Sequence, residues 1–498
     1  MTLLDRVHDS LAPATRDEFE RRVDEQADWL RGVIRDGDLD QPSFGVGVEL
    51  EAYATAPDGR LARLPRAVLG DGLAPELGVH NVELNTDPSP LSAAGLAEQV
   101  RQLEAARDRG RDIEGRELVL DGMWTLPPGE GTRDYLTDVV VRDGVTVATN
   151  MRRSARYAAL DNDVLRERGE ISVSVPGADR TYPTILPESL ATSVQPHVQV
   201  LDAAAFPDYF NAAVRTLGPL LSLATNSPLL PADCYPVSAG ADLLAATHHE
   251  LRVAVFEQSI NAETPGKVRV PRDLEDAVDL VDRLQADAVR APFLREWVTD
   301  DERRTFTDEF WELDHKRGTY WRWVRPVVGG TPVAGGTERS LRIEFRPLPT
   351  QPTVRDNVAF LAVLAGLLRG AVATDHPLAS LRWERARESF YAAAHDGPDA
   401  TLHWVTADGT HTTDREAVYD DLFDLARRGL HEAGLDRDDV EAYVRPVEDR
   451  RTAGTPSEWK LARAREALDE GATFREAVRQ AGRRYLQRAS SGEHFTEW

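Results

Sequence analysis

The sequence predicts an α+β fold, in which one antiparallel sheet is flanked by helices and is followed by a helical C-terminal part. Strand-like segments alternate with helix-like segments, but without the regular β-α-β order of a parallel sheet. From residue 353 onward the apolar spacing is almost wholly helical. The chain has 498 residues, of which 41% are hydrophobic. That length and composition supply enough apolar surface for one large domain or two to three smaller ones.

The individual elements follow from the spacing of apolar residues. Helical spacing is found at 17–36, after residue 92, at 203–223, near 240–258 and near 272–286. Alternation predicts strands at 44–53, 117–124, 192–201, 321–328 and 340–348, and a hairpin at 403–411. Residues 127–190 are rich in Pro, Gly, Asp and Arg, so we expect loops and short strands there. The most apolar run, 358–373, is too short to span a bilayer and contains Arg369, which predicts a buried core helix.

The charge balance is strongly acidic, with a formal net charge of −25 and a pI near 5.0. Such a field repels nucleic acid, so we expect no nucleic-acid partner. Only Lys267, Lys316 and Lys460 among the 59 basic residues are lysines. An acidic, lysine-poor chain indicates a salt-loving host, and a GC-rich genome that favours Arg codons is the simpler alternative. The single Cys234 excludes an internal disulfide, and the start lacks a signal segment, so we expect a cytoplasmic protein without a membrane partner.

The most informative segment reads GVGVELE and spans residues 45–51. On a strand, side chains two apart share a face, so Glu49 and Glu51 point together, away from the apolar residues. Two adjacent carboxylates should not both ionise unless a positive charge lies between them, and Mg²⁺ with its preference for oxygen ligands meets that need. Gly45 and Gly47 on the same face leave room for a ligand. A solvated strand face with two surface glutamates is the alternative.

Three further segments also aim polar groups away from an apolar face. They carry Glu76 and Glu83 in 75–86, His197 in 195–200, and Arg342, Glu344 and Arg346 in 341–346. A lone histidine beside apolar residues is more often a packing residue. One sheet could nevertheless carry all these segments on a common concave surface, with carboxylates for metal ions and guanidinium groups for phosphoryl charge. The residues themselves therefore indicate metal-dependent phosphoryl chemistry without defining a substrate.

In this order the segments resemble the glutamate–cysteine ligase family, and more closely its bacterial and archaeal carboxylate–amine ligase branch, within the glutamine synthetase-like superfamily. The family pattern is an ExE strand, two acids in a P-E-…-E-(L/T) segment, an H-V-x-(V/G) strand and an R-x-E-x-R strand. GVELE, PELGVHNVELNT, HVQV and RIEFR match it in turn. The resemblance covers roughly residues 44–488. The His-Val-Gln strand and the long segment 127–190 depart from the pattern and leave the substrate open.

The resemblance implies a glutamine synthetase-like curved antiparallel sheet that forms the active-site cleft. Residues 1–375 would be the catalytic domain, and residues 376–498 a mostly helical extension packed on it. The implied cofactors are ATP and Mg²⁺, with Mn²⁺ as an alternative ion. By matching position, Glu49, His197 and Glu344 would hold one metal ion, and Glu51, Glu76 and Glu83 would hold another.

The resemblance also implies roles for four arginines. Arg346 would contact ATP and neutralise the transferring γ-phosphoryl group. Arg252, in a segment similar to the family's R-x-x-x-F-E, and Arg325 would hold substrate carboxylates or phosphates. Arg451, in a segment similar to R-x-x-G-(T/S), would contact the nucleotide. The alternative for Arg325 is a surface arginine packed on a neighbouring tryptophan, and the alternative for Arg451 is an exposed arginine at a helix end.

The implied reaction begins with phosphorylation of the γ-carboxylate of glutamate by ATP. The amine of cysteine then attacks the acyl phosphate and gives γ-glutamylcysteine, a step of glutathione biosynthesis. No protein nucleophile is required, so Cys234 is expected to be structural. Two alternatives stay open: a ligase with another amine acceptor, and a non-catalytic relative that binds a nucleotide or amino acid. The expected partners are small-molecule substrates, and self-association into a homo-oligomer is also left open.

Overall fold

The computed structural model describes residues 2–111, 115–261, 266–298 and 305–498. In these residues the strands are β1 Gly45–Thr55, β2 Leu73–Pro75, β3 Asn81–Asn85, β4 Ser89–Pro90, β5 Glu117–Val119, β6 Val139–Arg142, β7 Val145–Ala148, β8 Ile171–Val175, β9 Ala178–Tyr182, β10 Val194–Gln199, β11 Val324–Val328, β12 Leu341–Phe345, β13 Trp404–Val405 and β14 His411–Thr412. Eight of them form one sheet, ordered β11-β12-β10-β1-β3-β2, with β4 and β5 also paired to β1. Every strand pair in it is antiparallel, which confirms the predicted α+β fold with an antiparallel sheet.

The two faces of this sheet divide as the alternation predicts. Apolar residues of β1, β3, β10 and β12 are at most 2% exposed, and they include Val46, Val48, Leu50, Val82, Leu84, Val198, Ile343 and Phe345. They pack into a single core that draws residues from Val7 to Ala481. Because side chains alternate along a strand, burying this set forces the intervening Glu, His and Arg residues onto the opposite face.

Helices cover the apolar face and form most of the C-terminal half. In the described residues they are α1 Leu3–Ser10, α2 Pro13–Arg35, α3 Ala93–Arg111, α4 Thr132–Thr137, α5 Ala155–Arg168, α6 Phe206–Ala224, α7 Asp242–Ala246, α8 Leu251–Ile260, α9 Asp279–Ala286, α10 Trp311–Gly318, α11 Val354–Ala373, α12 Trp383–Asp396, α13 Arg415–Glu432, α14 Arg437–Glu448, α15 Arg450–Ala453, α16 Pro456–Asp469 and α17 Phe474–Ala489. The predicted hairpin at 403–411 is confirmed by the pairing of β13 with β14.

Helix α11 connects the sheet to the C-terminal helices. By length and composition it is the one helix of the described chain that could cross a membrane, but it is mostly buried inside this fold, as the sequence predicted for a core helix. It contacts β1, β10 and α13. A Cβ on Gly370 would lie 2.1 Å from the carbonyl oxygen of Leu425, so only glycine permits this approach to α13. The division at residue 375 stays a prediction, since the core is continuous across it.

The prediction of loops and short strands for 127–190 is wrong in one respect, because the segment contains the 14-residue helix α5. Its periodicity is hidden because polar residues are buried there. Asp161 accepts a hydrogen bond from the backbone N–H of Ile185 at 2.9 Å, and Asn162 pairs with the backbone of Thr146. Buried polar side chains with internal partners do not follow the apolar stripe by which a helix is recognised.

Candidate active site

Strand register sets the geometry of the polar face. Across the sheet, Arg325 of β11 stands opposite Glu344 of β12, and Glu344 stands opposite His197 of β10. On the other side of β10, Glu51 of β1 stands opposite Glu83 of β3. Residues directly opposite on antiparallel strands have Cβ atoms about 5 Å apart. Segments hundreds of residues apart in sequence therefore bring their acids together.

The first acidic cluster, the Glu49 triad, consists of Glu49, His197 and Glu344. One ligand atom from each lies within 4.8 Å of the others. The Nε2 atom of His197 is 3.2 Å from Oε1 of Glu49. Two carboxylates and an imidazole at this spacing could hold a divalent cation, since oxygen and imidazole nitrogen are both ligands for such ions.

Arginines surround Glu344, which is 1% exposed. Nε of Arg325 donates to Oε2 of Glu344 at 2.5 Å, and Nη1 of Arg346 donates to Oε1. Nη1 of Arg317 lies 3.7 Å from the same carboxylate. Burial alone would raise the pKa of Glu344, but Arg325 and Arg346 outweigh it and hold the pKa well below its ordinary value. For Glu49, burial is likewise outweighed, chiefly by His197, and the pKa is lowered.

The second acidic cluster, the Glu51 triad, consists of Glu51, Glu76 and Glu83, again with ligand atoms within 4.8 Å of one another. Glu51 is held by the backbone N–H of Ser193, 2.7 Å from Oε2, and by Nε2 of Gln195, 2.9 Å from Oε1. Each of the other two acids accepts one short hydrogen bond: the backbone N–H of Leu77 donates to Glu76, and Nδ2 of Asn85 donates to Glu83, both at 2.8 Å.

These three carboxylates repel one another. Burial is the main cause that raises the pKa of Glu51. Burial and then the charge of Glu51 raise the pKa of Glu76 to about 7. Burial, Glu49 and Glu76 raise the pKa of Glu83 well above its ordinary value. A divalent cation would remove this repulsion, and three carboxylate oxygens suit Mg²⁺ or Mn²⁺. The residues present therefore fit the predicted ions.

Both triads open into one cleft of about 770 Å³. Glu49, Glu51, Glu76 and Glu83 line it, together with Arg325 and Arg346. The glycines of β1 do not provide the ligand space predicted for them. A Cβ on Gly45 would lie 2.8 Å from Val333, and one on Gly47 would lie 3.7 Å from Pro88. The space for a ligand lies instead beside the acids.

Only two of the four arginines predicted for the site are among the described residues that line the cleft. Arg346 and Arg325 reach the cleft, and the alternative of a surface arginine for Arg325 is wrong, because its side chain is 13% exposed and bonded to Glu344. Arg252 is 1% exposed, and its Nε donates to Oε1 of Glu250 at 3.0 Å. Its contact with a substrate stays a prediction.

Arg451 lies on the C-terminal helices, apart from the side chains that line the cleft in the described chain. Its Nη1 donates to Oδ1 of Asp420 at 2.8 Å, and its Nη2 donates to Glu416. Both acids belong to α13 and are largely exposed. This placement gives no support to the predicted nucleotide contact. Arg451 lies near a helix end, as in the alternative, but its side chain is only 15% exposed.

Sequence reasoning missed several cleft residues. Gln195 bridges the two triads, because its amide donates to Glu51 while its carbonyl oxygen accepts from Arg346. Its place two residues before His197, on the same face of β10, was a usable signal. Arg152, Tyr157 and Arg317 also line the cleft. Tyr157 lies on α5, Arg317 on α10 and Arg152 in a loop. None of these segments has the alternation of polar and apolar residues that identifies the polar face of a strand.

An antiparallel sheet that presents two acidic triads beside arginines is the arrangement that the resemblance to the ligase family implied. The sequence profile of glutamate-cysteine ligase family 2 (GCS2) matches residues 45–485, and the chain belongs to that family of ligases. This confirms the resemblance predicted from the motifs. No curated protein matches the chain.

Two solved structures are similar to this one. The glutamate–cysteine ligase of Francisella tularensis, solved in complex with AMP, is 14% identical, with a TM-score of 0.51 over 91% of this chain and 90% of that one. A bifunctional glutathione synthetase from Pasteurella multocida is 13% identical, with a TM-score of 0.47 over 94% of this chain, which spans 53% of that protein. The first likeness confirms the fold class.

Proposed function

We propose that this chain joins the γ-carboxylate of glutamate to the amine of cysteine in an ATP- and Mg²⁺-dependent reaction, with γ-glutamylcysteine, ADP and phosphate as products. The observation that carries the proposal is the meeting of two triads, each with the donor set for a divalent cation, beside Arg346 and Arg325 in one cleft of a family member. The product would enter glutathione biosynthesis.

The proposed chemistry overcomes the low reactivity of a carboxylate toward an amine. ATP converts the carboxylate into an acyl phosphate, and the amine then displaces phosphate from its carbonyl carbon. The Glu49 triad and the Glu51 triad would each hold one divalent cation, which would neutralise phosphate charge. Positioning and charge stabilisation are the tasks left to the protein's own residues.

Arg346 is placed to stabilise charge on the transferring phosphoryl group. Its hydrogen bonds to Glu344 and Gln195 both use Nη1. In the described chain no hydrogen bond from its Nη2 or Nε is seen, so these N–H groups are available to phosphate oxygens. Burial lowers the pKa of Arg346, but Glu344 and Glu51 outweigh it and raise the pKa, so the guanidinium stays charged throughout the reaction.

The nucleotide is expected in the same cleft. The structurally similar ligase from Francisella tularensis was solved with AMP, which supports a nucleotide site in this fold. Besides Arg325 and Arg346, the cleft is lined by Arg66, Arg152, Arg153, Arg156 and Arg317. Such a concentration of guanidinium groups in a chain of net charge −25 is suited to a polyphosphate.

We further propose that the protein works in the cytoplasm of a salt-adapted cell. All three lysines are buried, at 1% exposure for Lys267 and Lys460 and 3% for Lys316. The surface therefore has no lysine, and its charge comes from Asp, Glu and Arg. An acidic surface of this kind keeps a protein soluble when salt screens charges over a few ångströms.

The test is an ADP-release assay with purified protein in molar salt and Mg²⁺. ADP and phosphate should appear only when an acid substrate and an amine acceptor are both supplied, with glutamate the preferred acid and cysteine the best acceptor. Replacing cysteine with 2-aminobutyrate, which keeps the amine and lacks the thiol, should retain part of the activity. If another amino acid outperforms cysteine, the acceptor assignment is wrong. If no amino acid of a broad panel raises ADP release above background, the chain is a binding protein.

A further inference from the structure

Glu188 is a buried carboxylate in the cleft that the two triads leave without a role. It lies on a short 3₁₀ helix, Leu186–Leu190, that leads into β10, and it is 2% exposed. Its Oε1 accepts a hydrogen bond from the hydroxyl of Ser259. Its Oε2 has no hydrogen-bond partner in the described chain, although Glu188 lines the cleft. A buried carboxylate oxygen without a partner is costly unless a ligand supplies the donor.

His315 adds a second open acceptor to the same cleft. It is 3% exposed, and its Nε2 is 3.0 Å from the carbonyl oxygen of Ala291. A carbonyl only accepts, so Nε2 carries the hydrogen. Burial lowers the pKa of His315 to about 3, so the ring is neutral and Nδ1 is an acceptor. Nδ1 also has no partner in the described part of the chain.

The surroundings of these acceptors fit an organic ammonium group. Burial raises the pKa of Glu188 well above its ordinary value, and Lys267, whose Nζ donates to the carbonyl oxygen of Thr319 at 2.9 Å, offsets this only in part. A bound ammonium group would supply the positive charge that favours the ionised carboxylate. Phe256 and Trp321 line the same cleft. An ammonium group offers three N–H donors and one positive charge, and aromatic rings also attract cations.

We propose that Glu188 binds the α-ammonium group of the amino acid whose carboxylate is activated, and so makes the enzyme select an amino acid over a simple dicarboxylic acid. This rests on the proposed function. The acceptor's amine is the poorer candidate, because an ammonium has no lone pair and cannot attack while a carboxylate holds it protonated. The α-ammonium of the acid substrate stays protonated throughout the reaction.

The test compares glutamate with glutarate, which keeps both carboxylates and lacks the ammonium group. Wild-type protein should prefer glutamate in kcat/KM. Glu188→Gln keeps an acceptor for Ser259 but places a donor where Oε2 was. We expect it to lower kcat/KM for glutamate about 10- to 100-fold, the usual loss for a hydrogen bond to a charged group, and to leave glutarate nearly unchanged. A preference for glutamate that survives in Glu188→Gln would overturn the proposal.

Asp161 supplies a matched control. It is also fully buried and has an unpartnered oxygen, Oδ2, but it is not among the residues that line the cleft in the described chain. Asp161→Asn makes the same chemical change and should keep or increase the ratio of the two kcat/KM values, because the charge of Asp161 raises the pKa of Glu188 and its loss favours the ionised carboxylate. If Asp161→Asn collapses that ratio as Glu188→Gln does, the effect is structural and the proposal fails.

Binding to the wild-type protein gives a readout that needs no variant and no turnover. In thermal melts, glutamate should raise the Tm more than glutarate does at equal concentration. Equal stabilisation by the two acids would overturn the subsite. Protein that discriminates between them in melts but releases no ADP with any amine would refute the ligase function and leave the subsite in place.

Discussion

The Glu49 triad and the Glu51 triad lie on one sheet and share one cleft, but their charges are balanced differently. In the first, Arg325 and Arg346 donate to Glu344, and the pKa of Glu344 is well below its ordinary value. In the second, the hydrogen-bond donors seen in the described chain are neutral, and burial raises the pKa of all three carboxylates. Arginine donors therefore compensate the first triad, whereas the second has only neutral donors, and we propose that a divalent cation balances its charge.

Removing divalent cations should have the largest effect, since in the described chain no arginine donates a hydrogen bond to the Glu51 triad. We expect EDTA to reduce ADP release to background, and Mg²⁺ or Mn²⁺ to restore it. Glu83→Gln should raise the Mg²⁺ concentration needed for half-maximal rate, whereas Glu98→Gln, on the exposed side of α3, should not. Full activity in EDTA would show that neither triad needs a cation.

The next largest effect is expected from Arg346→Ala. Loss of a guanidinium that stabilises the transferring phosphoryl group should lower kcat by about 10³-fold and change the KM for ATP little. Arg342→Ala is the matched control. It lies four residues earlier, in β12, and its Nη2 donates to the backbone carbonyl of Thr331, outside the cleft lining. A near-normal kcat for Arg346→Ala would remove it from the chemistry.

In metal-free protein, a Glu→Gln substitution in one triad should change the free energy of unfolding in the opposite direction to one in the other triad. The folded-state pKa of Glu76, about 7, lies above the unfolded value of 4.5. As pH rises from about 4.5 to 7, the unfolded state therefore loses its proton first, and the folded state loses stability. At pH 8, Glu76→Gln should remove this penalty and stabilise the protein by about 1–3 kcal/mol, and at pH 4 it should have no effect.

Glu344→Gln is the counterpart, because its folded-state pKa is depressed. The ionised Glu344 carboxylate stabilises the folded state. This contribution to the free energy of unfolding is present above pH 4.5 and is lost as pH falls through the lower folded-state pKa. At pH 8 the variant leaves buried arginines short of a partner and should destabilise the protein by about 3 kcal/mol. Chemical denaturation in EDTA at constant salt measures both variants. If they shift stability in the same direction, the two triads are electrostatically alike.

The smallest effect is expected from Arg451→Ala. Its ion pairs with Glu416 and Asp420 involve largely exposed acids, and such pairs contribute less than about 1 kcal/mol. The KM for ATP should stay within about twofold of the wild-type value. A large rise in that KM would support the nucleotide contact predicted from the sequence. Arg451 would then join Arg325 and Arg346 in supplying positive charge to the substrates.

The sequence located much of the site because strand alternation is a local property. Val46, Val48 and Leu50 could be placed in the core, and with them Glu49 and Glu51 on the polar face, from spacing alone. The grouping of the acids into two triads came from the order of four short motifs that resemble a family. Spacing could not have supplied it, because nothing local links Glu49 to Glu344.

Sequence analysis did not predict the cleft residues that lie on helices and loops, and the reason is physical. Arg317 lies near the end of α10 and Glu188 lies on a 3₁₀ turn, where no period of two marks a shared face. Helix α5 buries polar residues against other segments, so its apolar stripe is obscured. A residue in such a segment becomes a site residue only through the packing of that segment on the sheet.

The sequence by itself determined the α+β class, the polar face of the four segments that carry the acids, and the family, because hydrophobic alternation and the order of motifs are properties of the linear chain. The tertiary structure alone decided that Arg325 and Arg346 compensate the Glu49 triad, that the Glu51 triad has only neutral donors, and that Arg451 lies elsewhere. Charge compensation depends on hydrogen-bonding distances between strands and loops distant in sequence, such as the 2.5 Å from Arg325 to Glu344. Strand register and helix packing set those distances, and no local pattern encodes them.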